Sequence, residues 1–319
     1  MATEDTKKQI IEYPVPILSG TYFDLTKFDF SFKDICIYDV QSQAFEKYIQ
    51  DLQPDNECLL NFIRDLQKNI HSEYEKKYAI VKNNPRKDFN YQDILNVWRL
   101  LLIIYPSNLQ IEHVINYYEQ DGFIENSSMS YYENRNNGES LFALEEDVPE
   151  VNEFSKRYFD RLNLQNYIGV AIENYLTSYM ASHIHYEYLT LCIALESSIY
   201  GNQELTYRLR RTVAVLCGKD VFNCNIIYEN LNKLYTLRSK IIHGEEYRID
   251  KVIEYLNPLR AIVSRTIIEL MIHNISSNKD LNDIITKLGF GDRSKITADW
   301  KSYKLNMSTV VASNWHELS

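Results

Sequence analysis

The sequence is poor in the two residues that most often interrupt regular structure. It has only 9 glycines and 7 prolines among its 319 residues, less than half of the roughly 12% that these two supply in an average protein. After residue 150 a single proline, Pro258, remains. Because glycine and proline mark turns and helix ends, their scarcity predicts long helices, above all in the second half of the chain.

Features that define several protein classes are also missing. The longest apolar stretch, Leu100 to Tyr105, is far shorter than the about 18 residues of a membrane helix. The first residues contain no apolar segment of signal-peptide length. The five cysteines show neither a CxxC pair nor a metal-ligand spacing, and there is no P-loop, GxGxxG, GxSxG or HExxH motif. We therefore expect a cytoplasmic protein with reduced thiols, without a metal, a cofactor or a membrane contact.

Negative charge is concentrated in the first half of the chain. Residues 1–150 hold 14 Lys and Arg against 26 Asp and Glu, whereas residues 151–319 hold 20 against 18, and the whole chain has a net charge of −10. An acidic half repels nucleic acid, so any nucleic-acid contact is expected in residues 151–319. The simpler alternative is that the acidic half is only a well-solvated surface.

The first half is predicted to be a small acidic domain, either α+β or wholly helical. Aromatic residues that partly alternate with polar ones predict two or three short strands, at 21–25, 28–32 and 35–38. No strand is expected after residue 45. Apolar spacings of three and four predict helices at 41–52, after Asn56, at 91–105 behind a capping Asn90, and at 109–118. Residues 119–150, rich in Asn, Ser and acids, form a linker, an acidic loop or a hairpin and contain the domain boundary.

The second half is predicted to be a helical bundle over about residues 151–290, followed by a tail at 291–319. Gly201, Gly218 and Gly244 each follow an apolar periodic segment, as glycines past a helix end do. The longest predicted helix covers 251–275 and contains Pro258. The fold class is therefore mainly α, with about five helices in the bundle.

One helix end carries a pair of residues with chemical interest. Arg238 is a permanent cation whose planar fork suits a phosphate, and His243 can exchange a proton near neutral pH. Metal-free RNA cleavage needs such a pair. Residues five apart lie roughly 140° apart around a helix, so the two converge only under one of three conditions. The helix loosens before Gly244, Arg238 reaches round, or a second copy of the chain completes the site.

Four segments of the second half resemble the successive motifs of the Apea-like branch of the HEPN superfamily. They are Ala194-Leu195-Glu196, Glu204 to Leu209, Leu234-Tyr235 and the Arg-x4-His stretch from Arg238 to Gly244. The resemblance covers about residues 151–290, and the first 150 residues resemble no known family. It implies an all-helical domain, a homodimer with a site composed from both copies, and a metal-independent endoribonuclease of anti-phage defence or toxin type.

This reading assigns roles to seven residues. Arg238 and His243 are the predicted catalytic pair, and the supporting or RNA-binding residues are Glu196, Ser239, Lys240, Arg208 and Arg211. Glu196 is expected to pair with Arg208 or Arg238 across the bundle, because a carboxylate in an apolar helix needs a partner. Ser239 either positions Arg238 or bonds back to its own helix, and Arg208 and Arg211 bind RNA phosphates or form a solvated face.

Two alternatives stay open. The helical half could be a non-catalytic module that dimerises and binds RNA or protein, with Arg238 and His243 as scaffold. The acidic half could bind a phage-derived trigger or an inhibitory partner and hold the nuclease inactive.

Overall fold

A computed structural model of the chain describes residues 11–52, 57–68, 76–83, 90–120, 123–131, 139–162, 167–199, 205–289 and 310–312. The chain divides into two compact units. The first comprises Met1–Trp98, Ser107–Asn134 and Glu139–Val148, and the second Arg99–Pro106, Arg135–Gly138 and Pro149–Ser319. The main boundary between the units thus follows Val148. Most of the predicted tail at 291–319 lies outside the described residues.

The regular elements have the following bounds. The strands are β1 Ile11–Ser19, β2 Ile35–Asp39, β3 Tyr78–Lys82, β4 Gln110–Gln120 and β5 Phe123–Tyr131. The α-helices are α1 Gln43–Leu52, α2 Glu57–Lys68, α3 Tyr91–Ile104, α4 Val148–Tyr158, α5 Gly169–Ser178, α6 Ile184–Ser197, α7 Leu205–Cys217, α8 Val221–His243, α9 Ile249–Ile272 and α10 Asn278–Leu288.

The first unit is built on an antiparallel sheet of five strands in the order β2-β3-β1-β4-β5. One face of the sheet carries the apolar side chains of alternate residues in β1, β3 and β4. Phe45 and Ile49 of α1 and Ile63 of α2 pack on this face and complete a buried core. The helices predicted around residues 41–52 and 91–105 are confirmed, and Asn90 caps α3 by accepting from the amide of Gln92 at 3.1 Å. Asn56 lies outside the described residues.

Strand β1 runs through the middle of the sheet although it contains Pro14 and Pro16. Among the described residues, β1 pairs with β4 along its whole length but with β3 only at Ile17 and Leu18. Proline has no amide hydrogen and cannot donate to a ladder. The two prolines, two apart, lie where the described β1–β3 ladder stops, while the pairing with β4 continues past them.

The prediction that strands occur only before residue 45 is wrong. β3, β4 and β5 all follow that residue, and two of the three segments predicted as strands are not strands. Residues 21–25 form only an isolated bridge from Thr21 to Leu141 before the 3-10 turn Leu25–Lys27, and residues 28–32 run into the 3-10 turn Ser31–Lys33. The cause is local: Asp24 accepts from the amide of Thr26 at 3.1 Å and Asp29 from that of Ser31 at 2.9 Å. Such side-chain bonds give the backbone an alternative to a ladder. Only the segment at 35–38 is a strand, β2.

The predicted helix at 109–118 is also wrong, because these residues form β4. The register of β4 against β1 shifts at the bulge opposite Ile17 and Leu18, where Leu18 pairs with Ile111 and Ile17 with His113. Glu112 is the extra residue of this bulge. Without the bulge, Ile111 and His113 would lie on the same face of the sheet; with it, they lie on opposite faces. Buried apolar residues therefore recur at spacings that imitate a helix. Strands β4 and β5 pair antiparallel, so the described part of residues 119–131 belongs to a hairpin, one of the three alternatives for residues 119–150.

The second unit is helical throughout its described residues. Helix α9 contacts α5, α6, α7 and α8, and every residue from Pro258 to Met271 is buried. A helix that is buried on all sides is the centre of its bundle. The mainly helical fold class is thereby confirmed, with an antiparallel sheet confined to the first unit. No helix in the described ranges is both long and apolar enough to cross a membrane.

Candidate functional site

The C-terminal end of α8 positions the two predicted catalytic residues. Gly244 has φ of 66°, and its amide reaches the carbonyl of Ile241 while the amide of Glu245 donates to Lys240 at 3.0 Å. This is the double closure of a Schellman motif, which needs a residue in the left-handed region. The helix is regular up to His243, so it does not loosen to bring His243 round towards Arg238. The first of the three routes to convergence is thus excluded.

Arg238 lies on the side of α8 that faces the bundle. Its Nη2 is 3.0 Å from Oε1 and 3.2 Å from Oε2 of Glu196 on α6. Of the two arginines expected to pair with Glu196, the structure has Arg238. Both carboxylate oxygens contact the same nitrogen, so the pair is not the two-nitrogen fork that arginine forms with a well-aligned carboxylate. The Nε of Arg238 is buried without a hydrogen-bond partner in the described structure, whereas 29% of the side chain remains exposed and open to another anion.

Glu196 is half-buried in an apolar setting. Burial raises the pKa of its carboxyl, although the charge of Arg238, the nearby Tyr235 hydroxyl and a hydrogen bond from Arg238 partly oppose this. Two tyrosines fix the helices around it: Tyr188 donates to the carbonyl of Leu234 at 2.9 Å and Tyr235 to that of Cys192 at 3.3 Å. Glu196 and Arg238 therefore lie at a seam of α6 and α8 whose spacing is set by buried hydrogen bonds.

His243 is exposed and makes no hydrogen bond or ion pair with another described residue. His243 shares a helix face with exposed residues of α8 at spacings of three and four. Arg238 shares a different face with the buried residues Ile227, Leu231 and Leu234. The two side chains thus leave α8 in directions roughly 140° apart. One chain alone does not bring them to a common point.

The supporting residues occupy different situations. Ser239, Lys240 and Arg208 are half-buried and their side chains have no hydrogen bond or ion pair to a described residue, and Arg211 is exposed. Neither predicted role of Ser239, contact with Arg238 or a bond back to its helix, is found in the described structure. The neighbouring Arg210 is held by α8. Its Nε donates to the carbonyl of Tyr228 at 3.1 Å, and its guanidinium lies 3.8 Å above that ring.

Sequence reasoning missed two buried ion pairs in the bundle. Arg260 of α9 pairs with Glu187 of α6, and Arg265 pairs with Glu269 one turn further along α9. Charged residues at a spacing of four within an apolar helix are the signal that could have revealed the second pair. Both pairs lie inside the bundle, where they fix how α9 packs and contribute nothing exposed to a site.

A third missed cluster lies at the bulge of β4 in the first unit. Glu112 is 2.9 Å from Nζ of Lys77 and 3.3 Å from Nε2 of His113. The hydrogen bond from His113, with a further contribution from Lys77, lowers the pKa of Glu112 to about 2 despite its partial burial. A carboxyl whose pKa is lower in the folded than in the unfolded state stabilises the folded state at pH values above its unfolded pKa. That stabilisation is lost as the pH falls through the folded pKa.

Replacing Glu112 with glutamine is expected to lower the free energy of unfolding by about 1–2 kcal/mol at neutral pH, a value reduced for partial exposure. The difference from the parent protein should shrink below about pH 4.5 and vanish near pH 2. Urea unfolding at a series of pH values measures it. Glu146, exposed in the same unit, provides the matched control as Glu146→Gln, and a pH-independent loss in Glu112→Gln would contradict the ion-pair interpretation.

No group of three or more His, Cys, Asp or Glu within the described ranges has an arrangement that could hold a metal ion. Comparison with protein-family models gives no match, and comparisons with curated proteins and with solved structures give none either.

Proposed function

We propose that the chain is a metal-independent endoribonuclease of the HEPN type, acting in the cytoplasm in defence against phage or as a toxin, with Arg238 and His243 as its catalytic residues. The observation that supports this most is how the guanidinium of Arg238 is held and exposed. Its guanidinium is fixed through one nitrogen by Glu196, and the side chain keeps 29% of its surface exposed. A partly exposed, pre-oriented cation of this kind suits a phosphate group.

The proposed reaction is an internal transesterification of RNA. The ribose 2′-oxygen forms a bond to the adjacent phosphorus and the bond from phosphorus to the 5′-oxygen breaks. His243 accepts the proton of the 2′-hydroxyl as general base, and a second imidazole donates a proton to the departing 5′-oxygen. Arg238 binds the phosphoryl oxygens as their charge increases. The products carry a 2′,3′-cyclic phosphate and a 5′-hydroxyl.

A second copy of the chain is part of this proposal. Arg238 and His243 diverge on a regular helix, and one imidazole cannot serve both sides of an in-line displacement. A two-fold axis near the end of α8 places each copy's residues opposite those of the other. Two arginines brought close repel, and the Glu196 carboxylate beside each one lowers that cost. The dimer is expected to depend on salt and on bound RNA.

The non-catalytic alternative is favoured by one observation. Glu196 already neutralises Arg238, as it would in an ion pair that only joins α6 to α8. In that case the second unit is a scaffold or binding module, the protein does not cleave RNA, and replacing His243 changes nothing in a cleavage assay.

Incubation of labelled RNA with the protein in EDTA tests the proposal. We expect cleavage to persist, the products to carry 2′,3′-cyclic phosphate ends, and His243→Ala to be inactive. His183 is an exposed histidine of the same unit outside α8, so His183→Ala should cleave like the parent protein. Cleavage that EDTA abolishes and His243→Ala retains would show that the mechanism is wrong.

A further inference from the structure

Two extended segments of the first unit lie side by side outside its five-stranded sheet. The amide of Leu141 donates to the carbonyl of Gly20 at 2.8 Å, and the amide of Tyr22 donates to the carbonyl of Leu141 at 3.1 Å. This is the hydrogen-bond pattern of a parallel bridge. The two segments thus form a short ribbon within one unit of the chain. It is here called the Tyr22–Leu141 ribbon and comprises residues 20–24 and 140–144.

The side chains of the ribbon lie alternately inside the unit and at its surface. Thr21 and Leu141, the bridged pair, are buried. The residues that follow them, Tyr22 and Phe142, are 64% and 69% exposed, and Leu144 is 46% exposed. Residues opposite each other in paired strands have their side chains on the same face. Tyr22 and Phe142 are therefore neighbours on the outward face and form an exposed apolar strip with Leu144, a feature that marks interaction sites.

The segment 140–144 also has an edge without a partner strand among the described residues. The amide and the carbonyl of Leu141 both face the other segment of the ribbon. Successive residues of an extended chain direct these groups to opposite sides, so those of Ser140 and Phe142 face away from the ribbon. Neither residue makes a hydrogen bond with another described part of the chain. An edge of this kind accepts an extended peptide through main-chain hydrogen bonds.

Acidic residues dominate the sequence around the ribbon. Seven Asp and Glu stand against a single cation, Lys27, over residues 20–29 and 139–150. Lys27 is itself paired with an acid of the second stretch. Glu139 and Glu146 are exposed, and the side chain of neither has an ion pair or a hydrogen bond with another described residue. Such a surface repels nucleic acid and a second copy of itself, whereas it attracts Lys and Arg.

We propose that the Tyr22–Leu141 ribbon binds an extended segment of a partner protein that has apolar side chains at alternate positions and Lys or Arg beside them. The segment adds a strand to the unpaired edge of the ribbon. Its apolar side chains contact Phe142 and Leu144. Its cations pair with Glu139 and Glu146. The proposal concerns the first unit and does not depend on RNA cleavage. It gives the trigger or inhibitory partner considered for the acidic half a docking surface of defined chemistry.

A library of random peptides displayed on yeast identifies the sequence that the protein prefers. Peptides of about ten residues are long enough to form one strand. Selection on the full-length parent protein should enrich Val, Ile or Phe at alternate positions with Lys or Arg beside them. A library that yields no enriched peptide, or only acidic ones, overturns the proposal.

Fluorescence anisotropy with a labelled synthetic copy of the enriched peptide locates the binding surface. Phe142→Ser should weaken binding at least about tenfold, as the loss of a central aromatic contact does. Phe222→Ser, which removes a 72% exposed aromatic residue of the second unit, should bind within about twofold of the parent protein. Both positions are exposed, so the urea unfolding midpoint of either variant should equal that of the parent protein.

The charge of the partner is tested at Glu146. Glu146→Lys should weaken binding at least about fivefold and reduce its dependence on salt. Glu153→Lys makes the same change at an exposed acid of α4 and should alter binding less than about twofold. Equal losses in the two variants would show that only the net charge of the protein attracts the peptide, and the ribbon would not be its site.

Strand addition is tested with N-methyl groups on the peptide backbone. Alternate residues of the added strand face the ribbon, so methylation of one alternate set should weaken binding at least about tenfold and methylation of the other less than about threefold. The proposal is overturned if both methylated peptides bind like the unmodified one, or if Phe142→Ser does. It is also overturned if no peptide binds and the parent protein self-associates in a manner that Phe142→Ser abolishes, since the ribbon then joins two copies of the chain.

Discussion

Replacing Arg238 with alanine is expected to slow RNA cleavage by about 10²–10³-fold, the usual loss when one preorganised donor to a developing oxyanion is removed. Arg238→Lys should be nearly as slow, because an ammonium group cannot replace the planar fork or reach Glu196 in the same geometry. His243→Ala loses general acid–base catalysis and should be slower by a similar or larger factor. Single-turnover rates on labelled RNA measure all three variants.

Two controls separate a catalytic loss from a structural one. Arg248→Ala removes an exposed arginine that pairs with Asp250, and it should cleave normally. Mixing Arg238→Ala chains with His243→Ala chains should restore little activity, because the mixed dimer holds a single His243 and the proposed site uses one imidazole from each copy. A protein that is strictly monomeric and cleaves at the full rate would contradict the two-copy site.

Replacing Arg265 with alanine is expected to lower the free energy of unfolding by about 3–5 kcal/mol, the range found when one partner of a buried ion pair is removed. Arg265 and Glu269 are almost wholly buried in the central helix α9. His273 is also near, with Nε2 3.6 Å from Glu269, but it does not occupy the place of the guanidinium. Glu269 would be left with its charge uncompensated inside the bundle, or would have to bind a proton there.

Urea unfolding followed by far-ultraviolet circular dichroism measures this loss. The double variant Arg265→Met with Glu269→Leu should recover most of it, because apolar residues of similar volume replace a buried pair at little cost. Arg248→Ala, which removes an exposed pair, should leave the unfolding midpoint unchanged. If Arg265→Ala unfolds at the same urea concentration as the parent protein, the buried pair does not stabilise α9 as described.

Much of the helical half could be predicted because its signals are local. Gly218 and Gly244 mark the ends of α7 and α8 where the structure has them, since a chain leaves a helix most easily at glycine. The sheet could not be predicted in the same way. One added residue, Glu112, reverses the alternation of β4, and two aspartates bind amides of segments that otherwise read as strands. Strand pairing also depends on residues distant in sequence, which no local pattern contains.

For the candidate site, the residue types could be predicted and their directions could not. The sequence shows an arginine, a histidine and a carboxylate with an apolar surrounding, and spacing alone places Arg238 and His243 on different sides of α8. Which arginine meets Glu196 depends on how α6 packs on α8, and this is set by Tyr188 and Tyr235 through bonds to backbone carbonyls. The ion pair of Arg260 on α9 with Glu187 on α6 depends equally on packing.

The prolines of β1 have a consequence for the protein in concentrated solution. Past Ile17, β1 and β3 have no described ladder between them, and Pro14 and Pro16 supply no donor to that flank. If β3 came away from β1, another molecule could use the opened flank as a template for its own strand, the first step towards fibrils. Such a chain would find two donors missing, so intermolecular β-sheet growth is disfavoured at this flank even when the sheet opens.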